Sequence, residues 1–168
     1  MSSTAAEHRD IAVRHPHEAE ILGTEQARIR LLIDANATEG SVSTVEITLA
    51  TGADGAAPHY HTRSDELFYV ADGELQLLAG DRIVTVAAGG SVVVPKRMPH
   101  AFGATPDSGA RVLIALMPGV ERFDYFRLLD RIGRGEATLA DLAAAQDEFD
   151  NHFVDAPDWW ARRSAQRR

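Results

Sequence analysis

Short apolar segments separated by glycine turns run from Glu20 to Leu116, and they constrain the fold more than any other feature of the sequence. Residues 27–31 and 44–49 alternate apolar and polar side chains, so each predicts a β-strand with one buried face. Asp72-Gly73 and Gly80-Asp81 lie between further apolar segments and predict tight turns, the first of them a β-hairpin. Many short strands at this spacing predict a mainly-β protein, either a barrel or a sandwich.

The pattern becomes helical after Pro118-Gly119. Apolar side chains spaced at i, i+3, i+4 and i+7 predict a helix with Tyr125 and Ile132 on its buried face. Thr138 is a typical N-cap residue and predicts a second helix, whose apolar face extends to Phe149. We therefore expect two C-terminal α-helices that pack on the β-structure, because neither is long enough to be stable alone.

These patterns divide the chain into a flexible N-terminal lead at 1–19, a β-domain (barrel or sandwich) at 20–118 and a helical segment at 119–168. Aromatic residues near a chain terminus usually hold it against the body of the protein, so Trp159 and Trp160 predict a docked tail. The arginines of the tail are expected to form a solvated C-terminus rather than a binding patch: Arg162, Arg163, Arg167 and Arg168.

Charge and composition exclude several classes of protein. With 17 Lys and Arg against 25 Asp and Glu, the formal net charge is −8, which disfavours nucleic acid and anionic membranes as partners. The chain has no cysteine, so disulfides, thiolate catalysis and cysteine-ligated metal sites are excluded. The first residues lack the apolar core of a signal peptide, and no segment is as long and apolar as a membrane span. We therefore expect a cytoplasmic protein.

Three histidines and one glutamate have the spacing of a metal site. His59 and His61 are two residues apart, so in a strand they face the same side. Glu66 opens the next apolar segment, and His100 follows a proline-bracketed loop and opens another. Imidazole nitrogens and a carboxylate oxygen are ligands for Fe, Ni, Mn, Co or Zn, and the spacing does not choose among these metals. We predict one divalent transition metal per chain, bound by His59, His61, Glu66 and His100.

The same residues resemble the first motif of the cupin superfamily. That motif contains H-x-H, three or four residues, E, six residues and G, which His59, His61, Glu66 and Gly73 match. The glycine that precedes H-x-H in the family is out of register here, because Ala53 stands at the usual spacing. The resemblance covers residues from about 20 to 117.

The second cupin motif is G, five residues, P-x-G-x-x-H, three residues and N. Gly89, Pro95 and His100 match it, whereas Arg97 replaces the turn glycine and Ala104 replaces the final asparagine. Neither replaced residue is a metal ligand, so the predicted ligand set is unchanged. The arginine in place of glycine bears on the conformation of the loop before His100.

The cupin resemblance implies an antiparallel jelly-roll barrel with the metal inside its mouth, and a homodimer formed through outer sheet faces. Phe68 and Phe102 each follow a ligand, Glu66 or His100, by two residues. We therefore expect both phenylalanines to face inward and to line a substrate pocket. An aromatic pocket beside a metal favours a small, flat, hydrophobic substrate with a chelating pair of oxygens.

The helical segment and the tryptophan-rich tail make the chain similar to bacterial monocupin quercetinases, which are flavonol dioxygenases. That resemblance implies a metal-dependent dioxygenase that opens a flavonol or a related enediol-type aromatic substrate with O2 and releases carbon monoxide. It also implies that Glu66 both binds the metal and takes the proton of the substrate hydroxyl. The helices would then form a lid over the site, although simple packing on the barrel is equally compatible with the sequence.

Two other functions are compatible with the same residues. One is a cyclase or isomerase that acts on an aromatic polyketide without O2, with the metal as a Lewis acid. The other is a non-catalytic cupin that binds a small molecule or a metal. Oxygen uptake with quercetin would indicate the dioxygenase. A product formed without oxygen would indicate the cyclase or isomerase, and an unchanged ligand would indicate the non-catalytic cupin.

Overall fold

The computed structural model describes residues 10–166, which form ten β-strands and four short α-helices. The strands build an antiparallel barrel of the jelly-roll type, so the predicted fold class is confirmed. The strands have these bounds: β1 (Ile21–Gly23), β2 (Ala27–Ile33), β3 (Ser43–Leu49), β4 (His59–Tyr60), β5 (Asp65–Ala79), β6 (Arg82–Ala87), β7 (Ser91–Val94), β8 (His100–Ala104), β9 (Ala110–Met117) and β10 (His152–Phe153).

Two sheets face each other and share strand β5. The first sheet has the order β1-β2-β3-β9-β5-β7. The second has the order β6-β5-β8-β4-β10. Because the inner faces of both sheets point into one core, side chains from β4, β5 and β8 can meet inside the barrel.

Strand β5 is 15 residues long because the chain bends at Gly73 and does not turn back there. The predicted hairpin at Asp72-Gly73 is therefore wrong. Gly73 has a φ of +72°, and a Cβ atom at this position would overlap the carbonyl oxygen of Gly109. The register with β9 shifts between Val70 and Asp72, which is the signature of a β-bulge. The bulge turns β5 from the first sheet into the second.

The first part of β5, before this bend, alternates inward and outward side chains, and Phe68 faces inward as predicted. Phe68 and Val70 are fully buried, whereas Tyr69 is 42% exposed. Inward side chains from the other strands, such as Leu31 and Val112, complete a continuous apolar core. This core forms the wall against which the predicted metal ligands pack.

The helices follow the barrel in sequence: α1 (Phe123–Gly133), α2 (Leu139–Ala144), α3 (Gln146–Phe149) and α4 (Pro157–Ala165). The first predicted helix is α1. The second begins after Thr138 as predicted, and Thr138 forms a capping box with Asp141. It is interrupted at Ala145, so the one predicted helix consists of α2 and α3, and α4 is additional. None of the helices in the described part of the chain is long and apolar enough to cross a membrane.

Helix α4 docks the C-terminal segment on the barrel. Trp159 is 1% exposed and packs against β5 and β8, so the predicted anchoring by an aromatic residue is confirmed. Arg162 is exposed, but Arg163 is only 2% exposed, and the expectation of a solvated arginine is wrong at that position. Arg167 and Arg168 lie outside the described residues.

Residues 10–19 of the predicted lead contain a turn and neither a strand nor a helix. They contact the barrel through Arg14, whose Nε donates to the carbonyl oxygen of Leu32 at 3.2 Å. Residues 1–9, the other part of the predicted lead, lie outside the described residues.

Candidate metal centre

Strands β4, β5 and β8 bring the four predicted ligands together inside the barrel. His59 on β4 lies directly opposite His100 on β8, Glu66 lies on β5, and His61 directly follows β4. The ligand atoms of the four residues lie within 4.8 Å of one another, and all four side chains are buried. The cluster could therefore hold one metal ion.

Each imidazole ring is held by a hydrogen bond from its Nδ1 to a backbone carbonyl. The carbonyl acceptors and the distances from Nδ1 are Ala57 for His59 (2.7 Å), Asp150 for His61 (2.5 Å) and Met98 for His100 (2.9 Å). These bonds place the proton of each neutral ring on Nδ1 and leave the lone pair of Nε2 free. Metal-binding histidines in proteins are commonly oriented in this way.

The Nε2 atoms of His61 and His100 both approach Oε2 of Glu66, at 3.2 and 2.6 Å. Because the Nδ1 protons already bind carbonyls, a neutral ring would direct its lone pair at the carboxylate oxygen, which is repulsive at this distance. A proton on Nε2, or a metal ion between the groups, removes the repulsion. The donor set and its orientation therefore fit a divalent transition metal.

The acid–base properties of the cluster follow from burial and from mutual charge. Burial would raise the pKa of Glu66, but the charges and hydrogen bonds of His61 and His100 outweigh burial and hold it well below the usual value. Burial lowers the pKa of His59 well below its usual value, and the other two histidines add to this effect. Burial also opposes charge on His100, but the carboxylate of Glu66 raises its pKa. Glu66 is thus ionised and His59 neutral near pH 7, as ligation requires.

Asp150 supports the cluster from outside the barrel. Its Oδ1 accepts hydrogen bonds from the backbone N–H and the hydroxyl of Thr62, at 2.8 and 2.6 Å, and its Oδ2 accepts from the N–H of Arg63 at 2.8 Å. Burial would raise the pKa of Asp150, but these hydrogen bonds lower it below its usual value. The residue therefore fixes both the ring of His61 and the chain that follows it. No local spacing in the sequence indicates this role.

Arg97 occupies the turn position at which the second cupin motif has glycine. Its φ is +69°, in the left-handed region that side chains rarely adopt. Its N–H donates to the carbonyl oxygen of His61 at 2.6 Å. The loop before His100 therefore keeps a glycine-like conformation without a glycine.

A cavity of about 270 Å³ lies beside the cluster and is lined mainly by apolar side chains. Of the two predicted pocket residues, Phe102 lines this cavity. Phe68 is not among the lining residues, and its ring packs 5.3 Å from that of Phe102 and 6.2 Å from that of His100. The substrate-binding role of both stays a prediction. The other lining residues that bear on function are His59, Glu66, Ser43, Arg122, Tyr125, Phe126, Leu142, Asn151 and Phe153.

Two polar residues of this lining, Arg122 and Asn151, were not found from the sequence. Arg122 directly precedes α1 and Asn151 directly follows Asp150, so both come from the helical segment and not from the barrel motifs. A lone arginine or asparagine in a polar linker carries no signal of burial. Only the docking of the helices on the barrel mouth places them in the cavity.

The chain is similar to known proteins over the barrel. Residues 45–116 match the family model of the cupin domain. No curated protein sequence matches the chain.

Solved structures of low sequence identity share the fold. The structure of KdgF from Halomonas sp. has a TM-score of 0.58 and 20% identity, over 69% of this chain and 99% of that one. An RmlC-like cupin from Shewanella frigidimarina has a TM-score of 0.55 and 21% identity, over 69% and 96%. The polyketide cyclase RemF from Streptomyces resistomycificus has a TM-score of 0.53 and 22% identity, over 65% and 80%.

The motif residues, the two-sheet barrel and the buried cluster of three histidines and a glutamate thus agree with these similarities. Residues 45–116 match the cupin domain model, in a chain that folds as a jelly-roll barrel with helices packed at its mouth.

Proposed function

We propose that this protein is a metal-dependent dioxygenase of the monocupin quercetinase type, which opens a flavonol or a similar enediol-type aromatic substrate with O2. The observation that carries the proposal is that His59 and Glu66 belong both to the metal cluster and to the lining of the apolar cavity. A ligand in the cavity would therefore lie against the metal centre.

The shape and chemistry of the cavity suit a flat aromatic molecule. Phe102 lines it from the barrel, Tyr125 and Phe126 line it from α1, and Phe153 lines it from β10. Apolar side chains around a few convergent polar groups are typical of small-molecule sites. The volume of about 270 Å³ is close to the lower end of the range for such sites.

His59, His61, His100 and Glu66 would hold the metal, which when bound supplies a Lewis-acidic centre that lowers the pKa of a coordinated hydroxyl. Glu66 is ionised and lines the cavity, so its carboxylate can accept a hydrogen bond from the substrate hydroxyl and then its proton. The low pKa of Glu66 makes it a weak base, so proton transfer depends on acidification of the hydroxyl. In the overall reaction both atoms of O2 enter the products and one ring carbon leaves as carbon monoxide.

The helices would keep water away from this chemistry. Tyr125 and Phe126 of α1 and Leu142 of α2 line the cavity and are each at most 8% exposed. Exclusion of water strengthens electrostatic interactions and protects reactive species from side reactions. In this proposal the helical segment is a lid as well as a packing element.

The direct test is oxygen uptake with quercetin, using protein loaded separately with Fe, Ni, Mn, Co or Zn. We expect uptake with at least one metal, stoichiometric carbon monoxide and a ring-opened product. Formation of a cyclised or isomerised product without oxygen uptake would instead establish the alternative of a cyclase or isomerase. Unchanged flavonol after prolonged incubation, with tight binding, would establish a non-catalytic binding protein.

A variant of Glu66 tests its role as a base. We expect Glu66→Gln to lose turnover by a larger factor than it loses bound metal, because an amide can ligate weakly but cannot take a proton. Glu25→Gln, at an exposed position, is the matched control and should behave as the parent. Equal turnover of Glu66→Gln and the parent would eliminate Glu66 as the base.

We also propose that the protein is a homodimer that pairs through the outer face of the first sheet. This face carries exposed apolar side chains on three adjacent strands, with Tyr69 42%, Val93 54% and Met117 38% exposed. Sedimentation equilibrium of the parent and of Val93→Glu tests the proposal. A monomeric parent would refute it, and a dimer unaffected by the substitution would exclude this face.

A further inference from the structure

Three buried polar side chains, the Ser43–Arg122–Asn151 group, line the same cavity as the metal cluster. They are 4%, 6% and 1% exposed, respectively. Each has a buried polar atom without a hydrogen-bond partner: Oγ of Ser43, Nε of Arg122 and Nδ2 of Asn151. Buried polar atoms are nearly always paired, so three unpaired ones around one cavity indicate a ligand that supplies the partner.

Arg122 is the strongest member of this group. Its guanidinium donates to the carbonyl oxygen of Phe149 at 3.1 Å and to Oδ1 of Asn151 at 3.3 Å. It lies 4.5 Å from the ring centroid of Tyr125. It forms no ion pair with any residue in the part of the chain that the structure describes. A buried cation without a counter-charge is unfavourable, and an anion in the cavity would remove that penalty.

The position of Arg122 is fixed by the fold. Its backbone N–H and that of Phe123 donate to the two carboxylate oxygens of Asp34, at 2.8 and 3.2 Å. The C-terminal segment fixes Asn151 in the same way, because its N–H donates to the carbonyl oxygen of Gln146 at 3.0 Å. The donors are thus held in place before a ligand binds, which reduces the entropy lost on binding.

The charge of the whole cavity favours the same kind of ligand. A divalent metal, the carboxylate of Glu66 and the guanidinium of Arg122 would together leave two positive charges in an apolar enclosure. Tyr125 adds a neutral donor, because burial raises the pKa of its hydroxyl above the usual value. An anionic ligand would be stabilised by both the metal and Arg122.

We propose that Arg122, with Asn151 and Ser43, binds an anionic oxygen of the substrate at a second point, while a chelating oxygen pair of the same molecule binds the metal. The cavity therefore selects aromatic molecules that carry a chelating oxygen pair and a separate acidic group, such as a carboxylate or an ionised phenol. This inference rests on the proposed function only in that the substrate occupies this cavity, and it does not require O2 to be consumed.

The test compares an acid with its ester at two molecular lengths. The probes are 3,4-dihydroxybenzoate and 3,4-dihydroxycinnamate, each against its methyl ester, titrated by calorimetry into zinc-loaded protein without oxygen. We expect at least one acid to bind the parent about tenfold or more tightly than its ester, because charge-assisted hydrogen bonds are stronger than neutral ones. Equal affinity for acid and ester at both lengths would overturn the proposal.

Two variants assign the preference to Arg122. Arg122→Met should bind acid and ester with similar affinity, and the exposed control Arg131→Met should keep the preference of the parent. Asn151→Asp supplies an internal counter-charge of the same shape and should also abolish the preference, so the test stands if Arg122→Met does not fold. An acid preference that survives in both variants would show that the carboxylate binds the metal or another group, and would refute the proposal.

The outcome is separable from that of the proposed function. Zinc-loaded protein without oxygen reports binding alone, whereas oxygen uptake with quercetin reports the reaction. An acid preference that depends on Arg122, together with no oxygen uptake with any metal, would retain the second binding point and reject the dioxygenase. Oxygen uptake with quercetin together with no acid preference would retain the dioxygenase and reject the second binding point.

Discussion

Among residues 10–166, two arginines are almost completely buried, and they differ in how far their hydrogen bonds are satisfied. Arg163 on α4 donates from Nε to the carboxylate of Asp54 at 2.9 Å. Its two terminal nitrogens donate to four further oxygens, on Gly52, Ala53, Gln76 and Ala104. Arg122 at the cavity makes two such bonds, has no carboxylate partner among the described residues, and leaves Nε unpaired.

The difference separates a structural arginine from one that is poised to bind. Arg163 has all five N–H groups paired and closes the second sheet against α4, so it needs nothing from outside the chain. Arg122 is held in place by its backbone while its side chain keeps binding capacity in the cavity. Incomplete pairing of a buried charge is thus more informative about function than burial itself.

The largest expected effect concerns Arg163. We expect Arg163→Met to lower the free energy of unfolding by about 3–5 kcal/mol, because it removes the cation that pairs with Asp54 and the N–H donors that bind several buried carbonyls. Urea denaturation of the metal-free protein measures the change. Arg162→Met, at the exposed neighbouring position, should change stability by less than about 0.5 kcal/mol. A loss of similar size in both variants would mean that the buried network contributes nothing specific.

A smaller loss is expected for Arg122→Met in the same denaturation experiment. The substitution leaves the carbonyl of Phe149 and Oδ1 of Asn151 unpaired but also removes an uncompensated buried cation, so the net loss should be about 1–2 kcal/mol. If Arg122→Met destabilised the protein as much as Arg163→Met, the distinction between the two arginines would fail.

Asn151→Asp should raise the free energy of unfolding, whereas Arg122→Met lowers it. A carboxylate beside Arg122 provides the missing counter-charge, so we expect a gain of about 1 kcal/mol at pH 7 in metal-free protein. Arg122 would depress the folded-state pKa of the new carboxyl below its unfolded value of about 3.9. The gain should therefore be present above about pH 4 and disappear as the pH falls through the folded-state pKa. Denaturation of variant and parent across this pH range measures it. A gain that did not change with pH would not be electrostatic.

The smallest expected effect concerns Arg97, where we expect the backbone conformation and not the guanidinium to affect stability. Arg97 is exposed and has a φ of +69°, a conformation that glycine adopts without strain. We expect Arg97→Gly to raise the free energy of unfolding by about 0.5–1 kcal/mol. Lys96→Gly, where φ is not positive, should lower it by a similar amount. A loss in Arg97→Gly would show that the arginine side chain itself stabilises the loop.

The four residues of the candidate metal cluster could be predicted from the sequence because their chemistry is expressed in short spacings. His59 and His61 share a strand face, and Glu66 and His100 stand where apolar segments begin. The strands and the first helix were predicted for the same reason, since alternation and helical spacing are local patterns, whereas the barrel was implied by the cupin resemblance. The prediction failed at Gly73, where an Asp-Gly pair suits both a hairpin turn and a bulge, and only pairing with β9 selects the bulge.

The sequence by itself determined the strand pattern, the candidate ligand set and the chemistry that these side chains can support. Only the tertiary structure decided that Asp150 holds the segment after His61, that Arg163 is buried and that Arg122 and Asn151 enter the cavity. These contacts join residues far apart in the chain, with separations from 27 residues between Arg122 and Phe149 to 111 residues between Arg163 and Gly52. Polar side chains carry no periodic signal for such contacts, because their burial depends on which element packs against which, and that is settled only when the helices close on the barrel.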